Sequence, residues 1–528
     1  MPAIRGADVL VRALADAGTD VIFALSGNQI MPIFDACLEA GLRIVHTRHE
    51  AAAVFMAEAY AQVTGKIGVA LVTAGGGLAN TGGALFSASE SETPVLLLSG
   101  DSPVGQDGRG AFQEMDQTAI TAPLTRLSLR PLAAETLARD VARALAATQA
   151  GRPGPVHMAL PVDILTAKAG DAGAIPRASQ DAAPQDMIAR ITDALRDAKC
   201  PLLILGPALN ATRAPGLAED LSQALNTPVV AMESPRGLND PSLGDLRKVF
   251  DESDLITILG KRVDFTLGFG AGKAHWVCVQ PDASELDRAR RNVGDRLACA
   301  VQAHPRTVAE ALIATPGHQP RRKDWCDRTR RHLTARPDAP GVDTSGRITS
   351  AGLCHTVAQA LTAGPETIAI CDGGEFGQWA QAILRADKRI INGPSGAIGG
   401  GIAYGIGARA ANPDARIVAL MGDGTAGFHL PEFETAIREG LPFVAVIGND
   451  RRWNAEHQIQ LRDYGTERLI GCELSGARYD LAAAGLGAHG EYVTRPEDLA
   501  PALERAFASG KAACINVEIT GLPAPAAH

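Results

Sequence analysis

Two acidic residues follow apolar runs in the C-terminal third of the chain. One run ends at Gly422-Asp423-Gly424 and a second ends at Asn449-Asp450. We expect the runs to be neighbouring strands whose ends bring Asp423 and Asp450 side by side. Carboxylate oxygens suit a hard cation such as Mg²⁺, and glycine lets the backbone approach a phosphate closely. The pattern therefore predicts a site for magnesium and a diphosphate group.

Elements that position these residues recur along the whole chain. Short apolar runs alternate with helical stretches at 21–25, 68–74, 94–99, 202–205, 255–259, 367–370, 417–421 and 443–447. This alternation predicts parallel sheets covered by helices on both faces. Residues 166–185 are rich in Ala, Gly, Asp and Pro, and residues 314–345 carry four prolines and many charges. We interpret both as linkers, which predicts three doubly wound α/β domains at 1–165, 186–313 and 346–528.

Composition narrows the class of protein. The chain has 528 residues, 46% of them hydrophobic, and a formal net charge of -9. The acidic balance argues against nucleic acid or an anionic membrane as the main partner. The nine cysteines are dispersed, odd in number and never in a CxxC spacing, which predicts reduced thiols in a cytoplasm. Charged residues interrupt the N-terminus and no apolar run approaches roughly 20 residues, so neither secretion nor a membrane span is expected.

Several motifs together resemble a known family. Gly422-Asp423-Gly424 followed by Asn449-Asp450 is similar to the signature of thiamine diphosphate (ThDP) enzymes. Further family motifs occur in matching order along essentially the full length: Arg48-His49-Glu50-Ala51-Ala52, Thr73-Ala74-Gly75-Gly76-Gly77, Ala111-Phe112-Gln113-Glu114 and Gly151-Arg152-Pro153-Gly154-Pro155-Val156. The resemblance implies a pyrimidine-binding domain first, a central Rossmann-like domain, and a diphosphate-binding domain last.

The resemblance also implies how the cofactor is held. Glu50 is expected to act on N1′ of the aminopyrimidine, Ile398 to wedge under the cofactor, and the Gly396 carbonyl to accept from its 4′-amino group. Mg²⁺ is expected on Asp423, Asp450 and the Arg452 carbonyl. The remaining expected cofactor-binding residues are Thr73, Gly75, Gly422, Gly424 and Thr425. Taken alone, Glu50 could merely start a helix, Asp450 could cap a turn and Ile398 could fill a core.

The residues expected near the substrate distinguish the reaction types within the family that this chain resembles. Pyruvate decarboxylase-type enzymes carry a His-His pair in the segment of Gln113 and an Asp where this chain has Asn28, so only their glutamate, here Glu456, is present. Benzoylformate decarboxylase-type enzymes place a His near Thr73 and a Ser at Asn28. Gln113 instead resembles the glutamine of acetolactate synthases and benzaldehyde lyase. Gln29 stands where that lyase has a histidine, and glutamine cannot shuttle protons near neutral pH.

These residues favour an enzyme that decarboxylates a small 2-oxo acid and ligates the product to a carbonyl acceptor, as acetolactate synthases do. A benzaldehyde lyase-like carbon-carbon lyase or carboligase acting on 2-hydroxy ketones, a simple 2-oxoacid decarboxylase, and a paralogue that binds cofactor without catalysis remain alternatives. Residues 233–240 do not resemble the FAD-contacting segment of acetolactate synthases, which argues against FAD.

The segment after Asp450 is expected to border the substrate. Glu456 and His457 are candidate catalytic residues beside Gln113, Gln29, Asn28 and Glu50. Arg451 and Arg452 could bind the carboxylate of a 2-oxo acid, or lie exposed at a solvated helix start. The resemblance also implies that Glu50 of one subunit meets Asp423 of another, which predicts a homodimer or homotetramer.

Overall fold

The computed structural model describes residues 4–169, 183–362 and 364–525. Its strands form three sheets in which every neighbouring pair of strands is parallel, and this confirms the predicted α/β class. Contacts divide the chain into two compact units, one with the N-terminal and C-terminal sheets and one with the central sheet. Within the described ranges, no helix has the length and apolar character needed to cross a bilayer.

The N-terminal sheet has the strand order β2-β1-β3-β4-β6-β5. Its strands are β1 Val21–Ala24, β2 Arg43–His46, β3 Gly68–Val72, β4 Val95–Asp101, β5 Leu127–Leu129 and β6 Val156–Pro161. Its helices are α1 Gly6–Asp16, α2 Met31–Ala40, α3 Glu50–Thr64, α4 Gly76–Ala79, α5 Gly82–Glu90, α6 Gln117–Thr121, α7 Leu137–Gln149 and α8 Val162–Thr166. The strand order reverses between β1 and β3, and such a reversal opens a crevice at the carboxyl ends of parallel strands.

The central sheet has the order β11-β10-β9-β7-β8. Its strands are β7 Pro201–Leu205, β8 Val229–Ala231, β9 Leu255–Leu259, β10 His275–Gln280 and β11 Leu297–Gln302. Its helices are α9 Gln185–Asp197, α10 Leu217–Leu225, α11 Leu246–Glu252, α12 Ala283–Val293, α13 Pro305–Ala314 and α14 Lys323–Thr334.

Of the two predicted linkers, the structure describes the second in full and the first only at its ends. Most of the first, residues 170–182, lies outside the described residues. The second contains helix α14, which is anchored by the buried Trp325, whose indole N–H donates to the Pro201 carbonyl at 2.8 Å. Charged residues surround Trp325 in the sequence, so the composition of this stretch hides its helix.

The C-terminal sheet has the order β13-β12-β14-β15-β17-β16. Its strands are β12 Thr367–Cys371, β13 Lys388–Ile391, β14 Arg416–Gly422, β15 Val444–Asn449, β16 His489–Val493 and β17 Ala513–Glu518. Its helices are α15 Ser350–Ala360, α16 Gly374–Ile383, α17 Gly401–Ala411, α18 Asp423–Ala426, α19 Glu432–Arg438, α20 Asn454–Tyr464, α21 Tyr479–Gly485 and α22 Pro496–Ala508. The order reverses between β12 and β14, so the strand that ends at Asp423 borders the crevice.

Helices α3 and α17 join the N-terminal and C-terminal sheets in one core. Residues 51–63 of α3 are all buried, and the rings of Phe55 and Tyr404 pack edge to face at 5.2 Å. Gly407 permits the close approach, because a Cβ there would lie 2.3 Å from the Met56 carbonyl oxygen. The residue that begins α3 is Glu50, so this packing fixes the axis of the helix that carries it.

Candidate active site

The residue at the end of β14 is a buried acid. Asp423 is 1% exposed, and its Oδ2 has no hydrogen-bond donor among the described residues. Burial, and then the charge of Asp450, raise the pKa of Asp423 to about 7. A buried carboxylate oxygen without a partner is costly unless a ligand compensates it. Asp423 therefore has the environment expected of a cation ligand.

Asp450 lies beside it because β14 and β15 are paired in register, with Gly422 opposite Gly448. Burial raises the pKa of Asp450 to about 6, while the nearby Arg452 charge opposes that shift. Two carboxylates placed this close disfavour each other's ionised form until a cation neutralises them. This arrangement fits a divalent metal.

A peptide carbonyl completes the candidate donor set. Arg452 forms an isolated antiparallel bridge with Glu473. The hydrogen bonds of that bridge come from the flanking residues, since the Trp453 N–H donates to Cys472 and the Leu474 N–H donates to the Arg451 carbonyl. The bridge does not use the Arg452 carbonyl. Two carboxylates and a carbonyl are the oxygen ligands that Mg²⁺ prefers, so the residues present fit this ion.

Glycines shape the surroundings of Asp423. A Cβ on Gly424 would lie 2.6 Å from the Trp453 ring, so the backbone of this turn packs directly against the indole. Thr425 is buried and its hydroxyl donates to the Gly422 carbonyl at 2.9 Å. The turn thus has no room for a side chain at Gly424. The Thr425 hydroxyl is already hydrogen-bonded within the turn.

The loop with Ile398 is fixed by Asp372, a fully buried residue that sequence reasoning missed. Its carboxylate accepts the N–H groups of Gly399 and Gly401 at 3.1 and 2.8 Å, and the Asn392 amide at 2.9 Å. The half-buried Ile398 lies over Gly373, where a Cβ would meet its Cγ2 at 2.3 Å. Asp372-Gly373 follows an apolar run as Asp423-Gly424 does, and this repeated pattern could have revealed it.

A second cluster forms at the carboxyl ends of β1, β3 and β4. The Thr73 hydroxyl donates to the Gln29 amide oxygen at 2.7 Å, and the Gln29 amide nitrogen donates to the Gln113 amide oxygen at 2.7 Å. Gln113 has a positive φ of 60° and packs against Gly75, where a Cβ would lie 3.0 Å from its own. This chain of hydrogen bonds leaves the Gln113 amide nitrogen able to donate to a ligand.

Glu50 borders the same cluster as the first residue of α3. It is half-buried and accepts a hydrogen bond from the Asn80 amide at 3.0 Å. A Cβ on Gly77 would lie 2.8 Å from Thr73 Cγ2 and 3.5 Å from Glu50 Oε1. The structure therefore brings Glu50, Thr73, Gln29 and Gln113 together. Among the described residues, no hydrogen bond or ion pair joins this cluster to Asp423 or Asp450.

The remaining candidates differ in exposure and in hydrogen-bond partners. Asn28 and Glu456 are exposed, and the Gly396 backbone is exposed in a left-handed turn with φ 68°. His457 is buried, its Nδ1 has no partner among the described residues, and burial lowers its pKa. The Arg451 guanidinium forms an ion pair with Glu518 at 2.5 Å.

A cavity of about 400 Å³ adjoins Asp450. Its charged lining residues are Arg347, Asp450, Arg451, Arg452, Glu473 and Glu518. Because Asp450 is itself part of the lining, the cavity adjoins the candidate metal site.

Comparisons with known proteins show which family and which fold the chain resembles. Residues 4–120 match the family model described as thiamine pyrophosphate enzyme, N-terminal TPP binding domain, and residues 372–517 match the corresponding C-terminal TPP binding domain. The chain is 31% identical to a probable acetolactate synthase of Mycobacterium bovis, over 96% of this chain and 94% of the relative. It is 30% identical to human 2-hydroxyacyl-CoA lyase 2, over 94% of this chain and 86% of the relative.

A solved structure has the same fold. The ThDP-dependent 4-hydroxybenzoylformate decarboxylase of Rhodococcus jostii RHA1 superposes with a TM-score of 0.83 at 24% identity, covering 98% of this chain and 99% of that one. At this identity the likeness concerns the fold.

Proposed function

The chain belongs to the thiamine pyrophosphate enzyme family, and from that premise we propose that it is a ThDP- and Mg²⁺-dependent enzyme that decarboxylates a small 2-oxo acid and transfers the remaining carbon unit to a carbonyl acceptor. A full-length relative named as a probable acetolactate synthase supports this reaction class.

The observation that carries the proposal is the pair of hydrogen-bonded amides, Gln29 and Gln113, beside Glu50. Neither amide can donate a proton to release an aldehyde near neutral pH, whereas the Gln113 amide nitrogen can hold an oxygen of a bound reactant. Amide side chains on the substrate side of the site therefore favour transfer of the remaining carbon unit to a second carbonyl over its release as an aldehyde.

The cofactor, when bound, supplies a carbon nucleophile at C2 of its thiazolium ring. The chain's own residues hold and orient it. In this proposal Asp423, Asp450 and the Arg452 carbonyl hold Mg²⁺, and Gly396 and Ile398 support the ring system. Glu50 holds a proton at the aminopyrimidine. Glu456 and His457 remain candidate catalytic residues.

A carbon-carbon lyase acting on 2-hydroxy ketones or 2-hydroxyacyl-CoA thioesters is the second candidate. The likeness to human 2-hydroxyacyl-CoA lyase 2, over 94% of this chain and 86% of the relative, supports it. Gln29 counts against it, since a glutamine stands where benzaldehyde lyase has a histidine for proton transfer.

Assembly and location belong to the same proposal. We infer that Glu50 of one subunit acts with Asp423 of another, so that the working unit is a homodimer or homotetramer. Support comes from the hydrogen bonds of Glu50, Thr73, Gln29 and Gln113, none of which reaches Asp423 or Asp450 among the described residues of one chain. The dispersed, free cysteines fit a reducing cytoplasm.

The test is a mass-spectrometric screen of the protein with ThDP and Mg²⁺ against pyruvate, benzoylformate, benzoin, acetoin and a 2-hydroxyacyl-CoA, with Glu50→Gln as control. CO2 together with a ligated product, both lost in the variant, is the expected result. Aldehyde released without CO2 would transfer the assignment to the lyase, and turnover that survives in Glu50→Gln would contradict both.

A further inference from the structure

Helix α19 makes a direct contact with the turn that leads into Glu50. The Glu432 carboxylate is 1% exposed and accepts the Arg48 backbone N–H, with distances of 3.0 and 3.3 Å to its two oxygens. The Thr435 hydroxyl donates to the same carboxylate at 2.6 Å. The turn before Glu50 thus donates a backbone hydrogen bond to a carboxylate from the C-terminal third of the same chain.

Further contacts align α19 with the segment from β2 to α3. The Arg438 guanidinium donates to the His46 carbonyl at 2.5 Å, and Arg43 donates to the Glu439 carbonyl at 2.8 Å. The first bond is to the backbone of the segment itself, and the second ties the Arg43 side chain to the backbone at the C-terminal end of α19. Glu432 lies at the end of this contact nearest to Glu50.

His429, which lies in the loop just before helix α19, contacts the loop that carries Ile398. His429 is buried, and its Nδ1 lies 2.7 Å from the Gly399 carbonyl oxygen, so this nitrogen carries the hydrogen and donates. The His429 ring also packs edge to face on His49 and on Phe55, at 5.5 and 5.6 Å. Residues 429–432 therefore contact both the start of α3 and the loop that holds Ile398.

We propose that Glu432 is a positioning residue for Glu50, whose buried carboxylate fixes the Arg48-His49 turn and thereby the direction in which helix α3 presents its first side chain. The proposal rests on the proposed function only in taking Glu50 as the residue that acts on the cofactor. Nothing in the sequence motifs assigns Glu432 a role.

Burying the Glu432 carboxylate costs free energy, so its presence at this position calls for a specific role. Burial raises the pKa of Glu432 to about 7, and the hydrogen bonds from Thr435 and from the backbone of Arg48 and His49 oppose that shift. A core contact alone would be served by an apolar residue at lower cost. The hydrogen bonds that the carboxylate accepts from the Arg48 N–H and the Thr435 hydroxyl offset this cost, and the first of them lies immediately before Glu50.

The first measurement uses the protein without cofactor. Backbone amide hydrogen exchange of the peptide 46–52 is compared in wild type, Glu432→Ala, the isosteric Glu432→Gln, and the control Glu434→Gln. Glu434 lies on the same helix and pairs with the side chains of Arg48 at 3.5 Å and Arg438 at 3.0 Å, but not with the Arg48 backbone, so this variant measures what loss of a side-chain pairing on α19 does by itself. Loss of a charge-assisted acceptor should speed exchange of the peptide about tenfold or more in Glu432→Ala. Glu432→Gln should give a smaller increase, and the control should match wild type.

The second measurement asks whether Glu432 acts through Glu50. Hydrogen–deuterium exchange at C2 of bound ThDP, which needs no substrate, is measured with each variant in the wild-type and Glu50→Gln backgrounds. Glu432→Ala should slow it about tenfold in the first background and less than about twofold in the second, because residues that act as a unit are not additive. If Glu432→Ala does not fold, Glu432→Gln takes its place with the same pattern at smaller amplitude.

Two results would overturn the proposal: unchanged amide exchange in both Glu432 variants, or an equal slowing of C2 exchange in both backgrounds. Equal slowing is what a merely structural role predicts. A wild-type protein that binds ThDP but shows no C2 exchange would contradict the proposed function instead, and the amide measurement would still decide whether Glu432 holds the turn.

Discussion

Mixing two inactive variants tests whether the active site is shared between subunits. Glu50→Gln disables the cluster on the N-terminal sheet, and Asp423→Asn disables the metal end on the C-terminal sheet. If each site takes Glu50 from one chain and Asp423 from its partner, a mixed dimer has one doubly disabled site and one intact site. Random assembly makes half of the dimers mixed, so activity should return to about one quarter of wild type.

The assay is C2 exchange or product formation after the two variants are refolded together at equal concentration. Mixed dimers isolated with two different affinity tags should reach about one half of wild-type activity per dimer. Each variant refolded with wild type provides the control for subunit exchange and should give about one half in either arrangement. If the site forms within one chain, every chain in the mixture carries one disabling change, and activity at the level of the single variants would refute the shared site.

Three further changes test the site and the fold separately. Gln113→Asn, which tolerates the positive φ but shortens the amide, should lower kcat/KM about 10- to 100-fold with unchanged ThDP affinity by titration. Gly407→Ala should destabilise by about 1–3 kcal/mol in urea unfolding, because its Cβ would meet the Met56 carbonyl at 2.3 Å, whereas Gly83→Ala has open space and should change stability by less than about 1 kcal/mol. Burial lowers the pKa of His157 from 6.5 to about 3, so below pH 6.5 only the unfolded chain gains this proton and stability falls. The loss is about 2 kcal/mol from pH 7 to pH 5, and His157→Gln should remove that part of the pH dependence.

The fold class could be predicted from the sequence because buried parallel strands appear as continuous apolar runs. Apolar runs alone do not mark strands that have partly exposed or polar residues. Strand β2 has one fully buried residue, and β16 carries the polar residues His489 and Glu491, whose side chains are hydrogen-bonded to each other at 3.0 Å. Such edge strands are held by pairing with a neighbour, and a local pattern does not record that pairing.

Site residues could be predicted from the sequence only where a recognisable local pattern marks them. Asp423 and Asp450 were found because each ends an apolar run, and the register of β14 with β15 brings them together. Glu432 could not be found this way, since its partner Arg48 lies 384 residues away along the chain. The Gln29–Gln113 pair likewise depends on two loops that follow different strands. Contacts of this kind are set by the tertiary fold.

Two acid-glycine turns end the neighbouring strands β12 and β14, and in both an aspartate followed by glycine stands at the end of an apolar run. Hydrogen bonding separates them. The Asp372 carboxylate already accepts two backbone N–H groups and the Asn392 amide, which leaves it no free side to offer a cation. The Asp423 Oδ2 is buried with no donor among the described residues. A divalent ion therefore gains far more at Asp423, whereas Asp372 serves the shape of the loop with Ile398. Asp372→Asn should consequently weaken ThDP binding at saturating Mg²⁺, and Asp423→Asn should chiefly raise the Mg²⁺ concentration needed for it. Isothermal titration of cofactor at two metal concentrations distinguishes the two effects, and an equal metal dependence in both variants would contradict this division of roles.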